Sequence, residues 1–140
     1  DYDDDSFLLV GDAEEKEERL LANDPSTRAL LDTDFLKAGH HGSDTSSTQA
    51  FLALVTPEVV AVSCGAREVG TNVGYRHPRL ETIQALLAQA GARNGPPITL
   101  EALESGTEKW KQIVLNRAVF VTTAEGTLVF ESNGHGIHKR

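Results

Sequence analysis

The sequence predicts an α/β domain, a mixed sheet with helices on one face and an antiparallel hairpin at its C-terminal end. Apolar runs at residues 6–10, 34–38 and 59–64 have the length of buried strands. Stretches rich in helix formers separate them, so strands and helices alternate, as layered α/β packing requires. Further on, residues 118–123 and 127–130 flank Ala124-Glu125-Gly126, a hairpin signal with glycine where positive φ is needed.

Each element has its own justification. Residues 6–10 end at Gly11-Asp12, a tight turn, and residues 13–21 are helix formers with Glu14 and Glu15 at the positive end of the helix dipole. Asn23-Asp24-Pro25-Ser26 breaks the chain, and the strand at 34–38 runs into Gly39-His40-His41-Gly42-Ser43. Ser46 or Ser47 can cap a helix reaching Val55, and Pro57 precedes the buried run 59–64. Strand, helix and strand in succession suggest parallel pairing. Pro78 in a first turn, then Leu80, Ile83, Leu86, Leu87 and Ala90 on one face, with Gly91 after them, define an amphipathic helix. Residues 92–117, with Gly95-Pro96-Pro97 and mixed polarity around Trp110, read as a loop with a short helix near 100–104. Residues 135–140 read as a flexible tail behind a domain spanning 1–134.

With 140 residues and 39% hydrophobic content, the chain supports one core and not two. A net charge of −8 repels nucleic acid globally, so any contact with it must be local. The single cysteine, Cys64, excludes an internal disulfide and a thiolate metal cluster and reads as a small core residue. No apolar stretch reaches the roughly 18 residues that span a bilayer, and the acidic start is unlike a signal peptide. The chain as given is expected to be soluble. Its abrupt start, close to a strand, suggests an excised or processed fragment of a membrane-anchored or secreted parent. The compartment and the oligomeric state stay open.

Reactive groups in open α/β sheets gather beyond the carboxyl ends of strands, where Asp12 and the His40-His41 pair both fall. A carboxylate and imidazoles suit zinc, manganese or iron. The plainer alternative makes Asp12 a cap for the helix that follows and the histidines surface residues. Gly39 and Gly42 flank the pair and permit close backbone approach, and Ser43 and Ser46 could bind an oxyanion or support a histidine. His77 could exchange protons near neutrality or merely cap the helix at Pro78. Lys37 is explained as an exposed strand end, and His135 and His138 as residues of the tail.

The segment Phe7-Leu8-Leu9-Val10-Gly11-Asp12-Ala13-Glu14, followed by Asp34-Phe35-Leu36-Lys37-Ala38-Gly39-His40-His41-Gly42-Ser43-Asp44-Thr45-Ser46, resembles the metallo-β-lactamase-fold domain of ComEC-type DNA-uptake proteins. Asn72-Val73-Gly74-Tyr75-Arg76-His77-Pro78 continues the likeness, with Arg76 where glycine is usual, and the segment 119–134 resembles the closing strands. Residues 92–117 look like an insertion. The resemblance implies the C-terminal half of a four-layer αββα fold. It implies a metal-dependent phosphodiesterase or nuclease, active in competence through a metal-bound hydroxide on two zinc or manganese ions. Asp12 would bridge the metals and one of His40 and His41 would be a ligand, its neighbour supporting catalysis. We take His40 as ligand and His41 with His77 as catalytic, though the residues themselves leave the two open. Ser43 and Ser46 would contact substrate.

Full members carry a His-x-His-x-Asp-His cluster that this chain lacks. The chain alone is therefore expected to be inactive, its partner being an upstream half of the same domain, with DNA as substrate. The alternative is a degenerate module whose sheet edge and apolar face bind a partner chain.

Overall fold

Four short strands, β1 (Phe7–Leu9), β2 (Phe35–Lys37), β3 (Val59–Val62) and β6 (Val119–Val121), lie side by side in the order β1-β2-β3-β6. The structure, a computed structural model, describes residues 1–91 and 95–140. All three pairings are parallel, in registers such as Phe7↔Phe35, Phe35↔Val59 and Ala61↔Phe120. The sheet is thus wholly parallel, not mixed. Among the described residues, antiparallel strands form two separate hairpins.

Side chains alternate across this sheet. Leu36, Val60, Val62, Val119 and Val121 face a core completed by Phe51, Leu52 and Val55 of α3 (Gln49–Val55) and by Ile83 and Leu86 of α5 (Leu80–Gln89). Each fully buried Leu or Ile contributes roughly 1.5–3 kcal/mol. Phe35, Val59 and Phe120 point the other way, against Ile137, Leu128 and Phe130.

The first helix, α1 (Glu15–Asn23), begins at a capping box in which the Glu14 carboxylate meets the Glu17 backbone and the Glu17 carboxylate accepts from the Glu14 N–H. Asp12 does not cap it. A four-residue turn of helix, α2 (Pro25–Arg28), follows under an Asp24 cap with Pro25 in its first position, and a similar turn, α4 (Asn72–Tyr75), precedes α5. The cap of α3 is Thr48, not Ser46 or Ser47. Glu18 of α1, almost wholly buried, accepts from the Ser47 N–H at 2.5 Å and from the Thr48 N–H and hydroxyl at 3.0 and 2.7 Å. This carboxylate joins α1 to the start of α3.

The stretch expected to be a loop with a short helix is a hairpin of β4 (Ile98–Glu104) and β5 (Lys109–Leu115), in full antiparallel register from Ile98↔Leu115 to Glu104↔Lys109. Residues 92–94 of that stretch lie outside the described residues. Ile98, Leu100, Ala102, Ile113 and Leu115 turn one face of the hairpin to the core. The hairpin expected from residues 118–130 does not form. Val119, Phe120 and Val121 are all buried, as a parallel strand requires. Helix α6 (Thr122–Glu125) then leads to β7 (Phe130–Ser132), which pairs with β8 (Ile137–Lys139). The tail is therefore a strand: Ile137 is buried, and Lys139 pairs with Glu125 at 2.5 Å beside Arg117 at 3.0 Å. Among the described residues no helix is long and apolar enough to cross a membrane.

Candidate active site

Asp12 follows β1, the His40-His41 turn follows β2 and Ser63 follows β3, so the parallel sheet delivers three loops to one end. They open onto a cavity of about 440 Å³ that is also lined by Cys64, Thr71, Asn72, Tyr75 and His77. Asp12, His40, His41 and His77 are brought together. Ser43 and Ser46 are not: both are buried and neither lines the cavity. Ser43 Oγ bonds Thr45 at 3.0 Å, its carbonyl accepts from Thr82, and Ser46 Oγ points to Glu18 at 3.5 Å. The substrate contact expected of these serines is replaced by a supporting role inside the loop.

The histidine turn, Gly39–Gly42, is strained. His40 (φ 42°) and His41 (φ 56°) are consecutive non-glycine residues in the left-handed region, at a cost of about 1–2 kcal/mol each. Its glycines are required by internal packing. A Cβ on Gly39 would collide with Ser46 Oγ and stand 3.0 Å from the Ala13 carbonyl, and one on Gly42 would lie 3.0 Å from Val62. The pair is thereby pressed against the Asp12 loop, where the His40 N–H donates to the Gly11 carbonyl at 3.0 Å.

Each imidazole is oriented by an oxygen that can only accept. His41 Nδ1 lies 2.7 Å from the Ser63 carbonyl, which can only accept, so Nδ1 carries a proton and Nε2 is turned to the cavity. That Nε2 stands 3.5 Å from Asp12 Oδ1. Two donors about 2.1 Å from one tetrahedral ion are separated by roughly 3.4 Å, so the spacing suits a shared metal. His40 Nδ1 lies 2.9 Å from Glu14 Oε1, and that oxygen also receives the Thr45 hydroxyl at 2.8 Å. Among the described residues no group of three or more His, Cys, Asp or Glu is arranged to hold a metal.

His77 is buried, with both ring nitrogens lacking a hydrogen-bond partner. Asn72 brackets its backbone: the Asn72 Oδ1 accepts from the His77 N–H at 2.7 Å and Nδ2 donates to the His77 carbonyl at 2.8 Å. Tyr75 stacks on the ring at 6.0 Å, and His40 meets it edge-on at 5.6 Å. Burial, then the charges of Arg79, His40 and His41, push its pKa down to about 4, so it is neutral at pH 7. It does not cap α5, whose N-cap is Arg79. Cys64 stands at the cavity wall, its thiol pKa raised by burial and its Sγ 3.9 Å from Thr123 Oγ1. Lys37 lies off this cavity, with Nζ on the Ala38 carbonyl, and His135 pairs with Asp4 at 3.1 Å.

Sequence reading missed Glu14 and the bracketing role of Asn72. The first is visible only as a helix-cap carboxylate, and the second rests on a contact across a turn of five residues.

The fold and site define a parallel-sheet domain with a histidine–carboxylate cluster at its carboxyl end. The chain is similar to Recombination protein 2 of Haemophilus influenzae, 45% identical over 60 residues, which is 43% of this chain and 7% of that protein. It is also similar to ComE operon protein 3 of Bacillus subtilis, 34% identical over 82 residues, 58% of this chain and 9% of that protein. The matches span less than a tenth of either relative. No family model and no solved structure matches the chain.

Proposed function

We propose that this chain is part of a DNA-handling protein of the competence system, and that its cavity is the C-terminal portion of a metal-dependent phosphodiesterase site of metallo-β-lactamase type. The names of the two relatives support the DNA-uptake setting. The approach of His41 Nε2 to Asp12 Oδ1, with His41 Nδ1 held by a carbonyl, carries the metal reading. It favours His41 over His40 as the partner of Asp12. A bound divalent ion, two in a complete site, would supply a water of lowered pKa and polarise a phosphoryl oxygen. His40, aimed by Glu14, faces the same cavity as a further donor. His77 lines the same cavity as a neutral imidazole behind His40 and Tyr75, and its buried ring nitrogens would meet a phosphoryl oxygen only once the lining side chains shift.

The remaining ligands must come from elsewhere, and we assign them to an upstream segment packing on the second face of the sheet. That face carries an apolar groove of about 650 Å³ lined by Leu9, Phe35, Ala61, Leu128 and Phe130, with Leu9 67% exposed. The same groove gives the alternative reading its basis: a module without chemistry that binds a partner chain.

Calorimetric titration of the chain with Zn²⁺ separates the histidines. Asp12→Ala and His41→Ala are expected to abolish a weak single-site binding that His40→Ala retains. Loss in His40→Ala with retention in His41→Ala would reverse the assignment, and indifference to all three would remove the metal reading.

A further inference from the structure

Beside the main cavity the β4–β5 hairpin walls a second cleft of about 230 Å³, lined by Gly65, Arg67, His77, Thr99, Glu101 and Trp110 among others. Gly65 and His77 line both spaces, so the cleft adjoins the candidate active site. We propose that it is a nucleobase subsite, which receives a base flanking the phosphodiester and stacks it on Trp110 and Arg67. The inference rests on the phosphodiesterase reading above.

Four observations carry it. The cleft is smaller than the roughly 300–1,000 Å³ of pockets for drug-sized ligands, which matches one planar ring system. The Arg67 guanidinium lies 5.1 Å from the Trp110 ring centroid, a pairing of planar cation and indole suited to stacking bases. Besides that contact, Arg67 is half-exposed and ion-paired to Glu68 at 3.3 Å and Glu101 at 3.7 Å, surface interactions weak enough for it to rearrange around an incoming base. The net charge of −8 makes such a local cation the condition for a polyanion to approach.

The wall is also rigid. Leu103 N–H donates to the Pro78 carbonyl at 3.0 Å, one residue beyond His77. Ser105 Oγ donates to Asp44 at 2.6 Å and its N–H to Glu81 at 3.0 Å, which ties the hairpin tip to the loop following the histidines. Trp110 therefore keeps a fixed place relative to His77. At the edge of the cleft, Thr99 and the Glu101 carboxylate can receive an exocyclic amine, as a cytosine offers.

Trp110 is the sole tryptophan, so its fluorescence reports on this cleft alone. The chain is titrated at fixed salt with an oligo(dC) eight-mer and with an abasic oligonucleotide of equal length. Oligo(dC) is expected to quench Trp110 and to bind roughly 10-fold more tightly than the abasic strand. Anisotropy of a labelled oligo(dC) should show a similar loss in Trp110→Ala, little loss in Trp110→Phe, and an intermediate one in Arg67→Gln. Equal affinity for both strands, absence of quenching, or undiminished binding by Trp110→Ala with retained circular dichroism would overturn the subsite. Bis-p-nitrophenyl phosphate carries no base, so its hydrolysis by the chain joined to the upstream segment tests the reaction separately. Turnover there without base-dependent quenching sinks the subsite alone, and quenching without turnover sinks the reaction alone.

Discussion

Asp12 precedes a helix that Glu14 caps, and this division leaves the Asp12 carboxylate facing the cavity while Glu14 aims His40. Asp12 and the histidine pair are legible in the sequence because each follows an apolar run at a strand end. The choice between His40 and His41 is not, because two successive left-handed residues send neighbouring rings to different partners. His77 offers a test at this scale. Its folded pKa of about 4 lies below the ordinary 6.5 because burial, and then Arg79, oppose the cation. Between those values the unfolded chain takes up a proton that the folded chain refuses. Stability from this residue is thus complete above pH 6.5 and lost as pH falls toward 4, by on the order of 3 kcal/mol. Urea denaturation of the metal-free chain at pH 7 and pH 4.5 should show a fall that His77→Phe reduces. An identical fall in the variant would contradict it.

Among the elements, the histidine turn is held from behind. Glu18 satisfies the Ser47 and Thr48 donors, so Glu18→Ala should cost about 3 kcal/mol of unfolding free energy, with Glu18→Gln between it and the native chain. A loss below about 1 kcal/mol in denaturant titration would show that the carboxylate is dispensable. Gly39→Ala should cost about 1–3 kcal/mol by overpacking, partly relieved by Ser46→Ala, and thermal melts of the single and double variants check this. Up to residue 91, the three strands and the helices α1, α3 and α5 are legible from apolar runs and helix formers, whereas the single helical turns at Pro25–Arg28 and Asn72–Tyr75 and the residues that cap α1 and α3 are not, because such short turns carry no periodicity. The β4–β5 hairpin was not, since Gly95-Pro96-Pro97 reads as a loop and the alternation of Leu100 and Ala102 with Thr99 and Glu101 is short. The 119–121 run was mistaken for a hairpin arm, although three successive buried residues are what a parallel strand carries.

At the scale of the whole molecule, the two faces of the sheet differ. One face of the sheet is covered by helices, the other only partly by β7 and β8, and among the described residues no three His, Cys, Asp or Glu side chains are grouped to hold a metal. Long-range order of this kind is invisible in local patterns; only the resemblance carried by the Gly39–Ser43 motif pointed to it. The chain alone should show no turnover. The most direct test joins it to the segment proposed to lie upstream and measures bound metal together with hydrolysis of bis-p-nitrophenyl phosphate and single-stranded DNA. The account predicts about two bound metals, turnover of both substrates, and losses of at least about 100-fold in Asp12→Ala and His41→Ala. A folded, joined protein that binds no metal and turns over neither substrate would contradict it.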